Sequence, residues 1–105
     1  MPVAKPGDIW LVHLEMAAKV RPCVIITPQP RGDELEVHTV VSHTTSLRGN
    51  HWEISIPKSF LARESAFDVQ RIATIASVKL ERRQGELSDV EMELILDRLA
   101  ERFGL

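Results

Sequence analysis

Apolar and polar positions alternate in short runs along the first three quarters of the chain, and the runs are punctuated by Pro, Gly, Asn and Asp. Pro6-Gly7-Asp8 reads as a turn that releases IWLVHL, Ile9 to Leu14, β-branched and aromatic enough for a strand. Glu15 to Val20 follows as a short connection. RPCVIIT, Arg21 to Thr27, predicts a second strand with the apolar centre Cys23-Val24-Ile25-Ile26. Its mouth is an Arg-Pro step, and Pro is tolerated at the first position of a strand. Pro28 to Asp33 is a loop. From Glu34 to Thr44, Leu35, Val37, Thr39 and Val41 fall on one face, with Glu36, His38, Val40 and Ser42 on the other. His51 to Ile56 alternates again, with Trp52, Ile54 and Ile56 inward, and Pro57 ends it. Lys58 to Ser65 reads as loop with a helical turn. Ala66 to Ala76 predicts one further strand, bent near Asp68, and Lys79 to Leu87 a charged connection.

The last segment has helical spacing. Ser88-Asp89-Val90-Glu91 is a capping box, in which the Ser oxygen accepts from the Glu91 N–H and the Glu91 side chain reaches back. Met92, Ile95, Leu96, Leu99 and Phe103 then share one helical face, and Gly104 suits the C-terminal cap. Short strands closed by one terminal helix predict a mainly β (α+β) fold: a small, partly closed barrel with a C-terminal α-helix.

Composition narrows the functional classes. The length of 105 residues suits one domain over 1–105, and a hydrophobic fraction of 44% supplies one core. A net charge of −2 and a pI near 6.1 exclude a uniformly basic nucleic-acid binder, so any phosphate site is a local basic patch. The single cysteine, Cys23, has no partner for an intramolecular disulfide and packs as a small hydrophobe. With neither a signal peptide nor a long apolar stretch, the reading is a cytoplasmic protein with no membrane partner. No cysteine pair or His-x-x-x-His spacing points to a structural zinc site.

GDIWLVHL, RPCVII, VVSHTTS and FDVQRIATI, in that order and followed by a capped helix, resemble the MazF/PemK toxins of type II toxin–antitoxin systems. The resemblance runs from about Gly7 to the end. It implies an SH3-like barrel and a homodimer. It also implies an mRNA interferase, a sequence-specific endoribonuclease that cuts single-stranded RNA without a metal or other cofactor. The implied partner is an antitoxin whose acidic, partly disordered tail threads over the RNA groove. Arg21, before Pro22, stands where the family has its catalytic arginine, and Thr44 where it has its threonine. Asp68 and Gln70 correspond approximately to an aspartate–glutamine pair, with one extra residue between them. Three positions depart from the family: the Glu15–Val20 connection is short and lacks a Gly-x-Glu-Gln segment, His13 stands where an aspartate is common, and Ala66 stands where some members carry an arginine.

Metal-free RNA cleavage needs a base for the 2′-hydroxyl, an acid for the leaving oxygen, and positive charge at the phosphorane. Arg21 suits the last role because its planar fork can hold two phosphate oxygens. Thr44 can donate its hydroxyl to phosphate or serve as a turn threonine. Asp68 can partner Arg21 or a histidine. For proton transfer, His13 ends the first strand beside the short connection and joins the catalytic candidates; His13 or His43 is expected as the nearest titratable group. His38 reads as structural and His51 as solvated. Lys19, Thr45, Ser46, Arg48 and Gln70 are the RNA-binding candidates, with Arg31 and Lys58 nearby. Trp10 and Trp52 read as packing residues. The competing reading is a non-cleaving barrel that binds RNA or protein, either a degenerate toxin or a CcdB-like gyrase inhibitor.

Overall fold

The computed structural model describes residues 3–14 and 19–105; the Glu15–Val20 connection lies largely outside them. Six strands form one antiparallel sheet: β1 Asp8–Leu14, β2 Lys19–Ile25, β3 Val37–Thr44, β4 Glu53–Ile54, β5 Ala66–Ala76 and β6 Leu80–Glu86. A 3-10 turn, Ser77–Lys79, joins β5 to β6, and the helix α1, Asp89–Arg102, ends the chain. The spatial order is β4-β5-β3-β2-β1-β6, so the sheet curls without closing.

Both faces of this sheet are covered. On the first, Ile9, Val24, Val41, Ile54, Phe67 and Val69 pack beneath Ile95 and Leu99 of α1. On the second, Trp10, Val12, Cys23, Ile25, Val40 and Leu80 form a smaller core that takes in Ala4. Trp10 is therefore a packing residue; its indole N–H donates to Asp8 Oδ2 at 3.4 Å. The helix starts as its sequence predicts: Glu91 N–H donates to Ser88 Oγ at 3.1 Å and Ser88 N–H to Glu91 Oε1 at 2.8 Å. At the other end Gly104 adopts φ +73, a left-handed conformation that costs glycine least.

Four expectations change. Lys79–Leu87 is not a connection: Leu80–Glu86 is β6, an edge strand paired with β1. It pairs on one side only and buries only Leu80, so it needs no apolar alternation. The strand expected over His51–Ile56 contracts to Glu53–Ile54, because the chain turns through Asn50–Trp52 first. Lys58–Ser65 contains no helix, only turns and bends. Leu35 is 79% exposed instead of facing the core, because β3 begins only at Val37. No helix among the described residues is long and apolar enough to cross a membrane.

His38 is fully buried on β3 and shares a 2.7 Å hydrogen bond with Ser77 Oγ through Nδ1. Burial pushes its pKa below the ordinary 6.5, partly opposed by the Ala4 backbone and the Glu36 charge. Burial lowers that of His43 as well. The unfolded chain then binds more protons than the folded one, so stability is complete above about pH 6.5 and is lost as pH falls below it. The thermal midpoint is expected to stay level above neutrality and to drop on acidification, as the unfolding free energy falls by at most ~1.4 kcal/mol per pH unit for each proton. His38→Gln, which keeps an amide to bond Ser77, is expected to flatten that slope; an unchanged slope would assign it to other groups.

Candidate functional site

The Arg-Pro step falls inside β2. Arg21 pairs with Val12 of β1, and by alternation it shares the second face with Cys23 and Ile25. On the neighbouring strand β3, Ser42 lies opposite Cys23, whose thiol reaches Ser42 Oγ at 3.7 Å. The β2–β3 ladder ends at that pair, two residues short of Arg21 on β2 and of Thr44 on β3. Thr44 in turn pairs with Ala66 of β5.

Between the pairs Val41–Ile72 and His43–Phe67, β5 inserts Asp68 to Arg71 opposite the single residue Ser42. This bulge re-aims side chains that strict alternation would send elsewhere. Asp68 holds it closed: its Oδ1 accepts from the Gln70 N–H at 2.9 Å, and its Oδ2 lies 3.5 Å from Arg71 Nε. Arg71 is thereby fixed beside a groove of about 550 Å³, which Arg21, Ser42, Thr74, Lys79 and His13 also line. Burial raises the Cys23 thiol to about 11, against the opposing pulls of the Ser42 hydrogen bond and the Arg21 charge, so it is a neutral thiol and not a nucleophile.

Arg21 is half-buried in the groove wall. The ion pairs of the described residues engage Arg71, Arg83 and Arg98 and leave Arg21 without one. His13 lines the groove, exposed, with Nε2 3.8 Å from Glu81. His43 does not: it is buried on the first face, its ring centroid 4.9 Å from that of Phe67. Thr44 is 1% exposed, and its Oγ1 accepts from the Ser46 N–H at 3.0 Å, which is the turn role. Asp68 is buried on Arg71. Thr45, Ser46 and Arg48 lie exposed on the loop after β3, and Gln70 accepts from Asn50 Nδ2 at 3.4 Å. Lys19 opens β2, exposed, opposite Leu14.

Of the residues expected from sequence, Arg21 and His13 share the groove, whereas Thr44 and Asp68 lie buried outside its lining. Lys58 leaves the set, bound to Glu91 on α1 at 2.7 Å. Arg71, Ser42 and Lys79 enter it, none of them anticipated. Arg71 had a signal, three residues after Asp68, but only the bulge turns it toward Arg21. Lys79 belonged to a run that reads from sequence as solvated.

A model of the PemK-like, MazF-like toxins of type II toxin–antitoxin systems matches residues 5–103. No curated protein sequence matches the chain. Among solved structures, the Mycobacterium tuberculosis toxin MazF-mt6 is 25% identical, with a TM-score of 0.77 over 93% of this chain and 97% of that one. An endoribonuclease from a mycobacterial species, solved with its cognate antitoxin, is 19% identical with a TM-score of 0.78, covering 98% of this chain and 97% of its own. A chain from a MazE–MazF complex of Deinococcus radiodurans is 12% identical with a TM-score of 0.79 over the full length of both.

Proposed function

The chain belongs to the PemK-like, MazF-like toxins of type II toxin–antitoxin systems, and from that membership we propose that it is a metal-independent, sequence-specific endoribonuclease acting on single-stranded RNA in the cytoplasm. One observation carries the reading beyond the family: the Arg21 guanidinium, without an ion partner among the described residues, shares a groove with Arg71 on an otherwise acidic chain.

The RNA 2′-hydroxyl attacks the adjacent phosphorus, giving a 2′,3′-cyclic phosphate and a free 5′-hydroxyl. Arg21 binds two non-bridging oxygens and stabilises the charge they gain in the phosphorane. Arg71, held by Asp68, adds charge on the β5 side of the groove. His13 is the groove imidazole and moves the proton. Thr44 anchors the turn that carries Thr45 and Ser46 by accepting from the Ser46 N–H. Lys19, Thr45, Ser46, Arg48 and Gln70 guide the flanking strand.

Two copies of the chain associate about a two-fold axis, the commonest arrangement for soluble assemblies. The antitoxin silences the enzyme by laying an acidic segment along the same basic groove; the mycobacterial endoribonuclease with its cognate antitoxin supports such a partner. Incubation with a long single-stranded RNA in excess EDTA tests the whole. Cyclic-phosphate ends at a recurring short sequence are the expected result. Intact RNA would leave the non-cleaving alternative.

A further inference from the structure

A second cavity, of about 520 Å³, is lined by Glu53 of the edge strand β4 and by Ala66 at the start of β5, which pairs with Thr44 on the β3 side. The loop after β3 builds one wall through Leu47, Asn50 and Glu53, and the segment before β5 builds the other through Arg63, Glu64 and Ser65. The first wall is rigid. The two Glu53 carboxylate oxygens accept from the Arg48 and Gly49 N–H groups, each at 2.8 Å. Asn50 Oδ1 accepts from the Trp52 N–H at 3.0 Å. The Arg48 and Gly49 donors hold the Glu53 pKa below the usual carboxylate value, so an anion is fixed at this wall.

The second wall carries two unspent charges. Arg63 and Glu64 are both exposed, and neither belongs to an ion pair among the described residues. A guanidinium and a carboxylate that face one cavity without neutralising each other suit a ligand with acceptors on one edge and donors on another. We infer that this cavity is a nucleobase subsite of the RNA strand that crosses Arg21, and that it takes guanine. The inference rests on the ribonuclease reading and adds the base that the site reads.

Guanine presents O6 and N7 as adjacent acceptors, the pair that an arginine fork fits. Its N1–H and N2–H₂ are donors that a carboxylate of Glu53 or Glu64 accepts. Adenine places an amino group where Arg63 needs an acceptor. A pyrimidine has only one ring to span the two walls. Unstacked bases of single-stranded RNA expose both edges to such reading, and Leu47, 46% exposed, offers an apolar surface to the ring face. The position follows from the sheet: Ala66 of this cavity pairs with Thr44, two residues along β3 from Ser42 of the Arg21 groove, which places the base it holds near the cleaved bond.

The test is a panel of oligoribonucleotides carrying G, A, C, U or inosine at each position around the cleaved bond. It is run as cleavage, and as binding with a 2′-deoxy residue at the scissile step. Wild-type protein is expected to prefer guanine at one position over the other bases. Arg63→Ala is expected to erase a preference of roughly 5- to 140-fold there, bringing guanine level with the other bases at that position. Arg63→Lys, which keeps the charge but not the fork, is expected to erase it too. Inosine, which lacks the 2-amino group but keeps N1–H, O6 and N7, should lose only the N2 part of the carboxylate contact. If RNA is cut but Arg63→Ala leaves every base preference unmoved, the subsite is wrong and the ribonuclease stands. If RNA is not cut, and neither protein binds any deoxy-substituted oligonucleotide, both fall together. If RNA is not cut but binding keeps an Arg63-dependent guanine preference, the subsite stands alone.

Discussion

On the proposed ribonuclease mechanism, Arg21→Ala is expected to leave the protein folded and to slow cleavage of single-stranded RNA by about 10²- to 10³-fold, equivalent to ~2.7–4 kcal/mol of transition-state stabilisation. The size follows from what is lost: a fixed donor pair aimed at oxygens that gain charge only as the phosphorane forms. The sparing of the fold follows from position. Arg21 is half-buried at the groove wall, and no ion pair among the described residues depends on it. Pro22 restricts the backbone immediately after it, which limits how far the base of the side chain can drift. Arg21→Lys keeps the charge and loses the planar fork, so it is expected to fall between the two. Single-turnover cleavage and thermal unfolding, measured on the same preparations, separate the possibilities. A folded variant that cleaves normally would move the chemistry elsewhere, and an unfolded one would make Arg21 a structural residue.

Phe67→Ala is expected to cost about 3–5 kcal/mol of folding stability, from lost transfer energy and the cavity left behind. Phe67 is fully buried on β5 between His43 and Ile54, beneath α1, and its ring meets His43 edge-on at 66°. Small domains are stable by only ~5–15 kcal/mol in total, so this one substitution consumes a large share. Phe67→Leu fills most of the space and is expected to cost far less. The measurement is the urea midpoint at constant m-value. Since Phe67 lies between Ala66 and Asp68, the alanine variant should lose cleavage with its fold, whereas Arg21→Ala separates the two. A Phe67→Ala protein as stable as the wild type would place the main core elsewhere.

The strands that announced themselves were those buried on at least one whole face. β1, β2, β3 and β5 carry β-branched runs between turn residues, and α1 carries both its cap and its spacing. β6 was illegible because an edge strand bonded on one side can be almost wholly charged: Glu81, Arg82, Arg83 and Glu86 are all exposed. The Arg21-Pro22 step was expected at the mouth of the second strand, but β2 begins two residues earlier, at Lys19, and takes the step into its ladder with β1. Arg71 could not be read from sequence, because counting by twos along β5 fails where Asp68 to Arg71 face one residue of β3. Thr44 was placed correctly in the chain, but its depth came from pairing with Ala66, which local sequence does not encode.

The order β4-β5-β3-β2-β1-β6 sets when the molecule can become itself. β1 waits for a neighbour that is almost the last segment to be made: Asp8 and Arg83, 75 positions apart, meet across that seam at 3.2 Å. Such distant pairings are paid for in loop-closure entropy before they return anything, and domains dominated by them fold in milliseconds to seconds. A nascent chain that has reached Lys79 has neither β6 nor α1, so the outer edge of β1 and the apolar face under Ile95 stay open. Synthesis interrupted before β6 should therefore yield an aggregation-prone fragment and not a partly working fold.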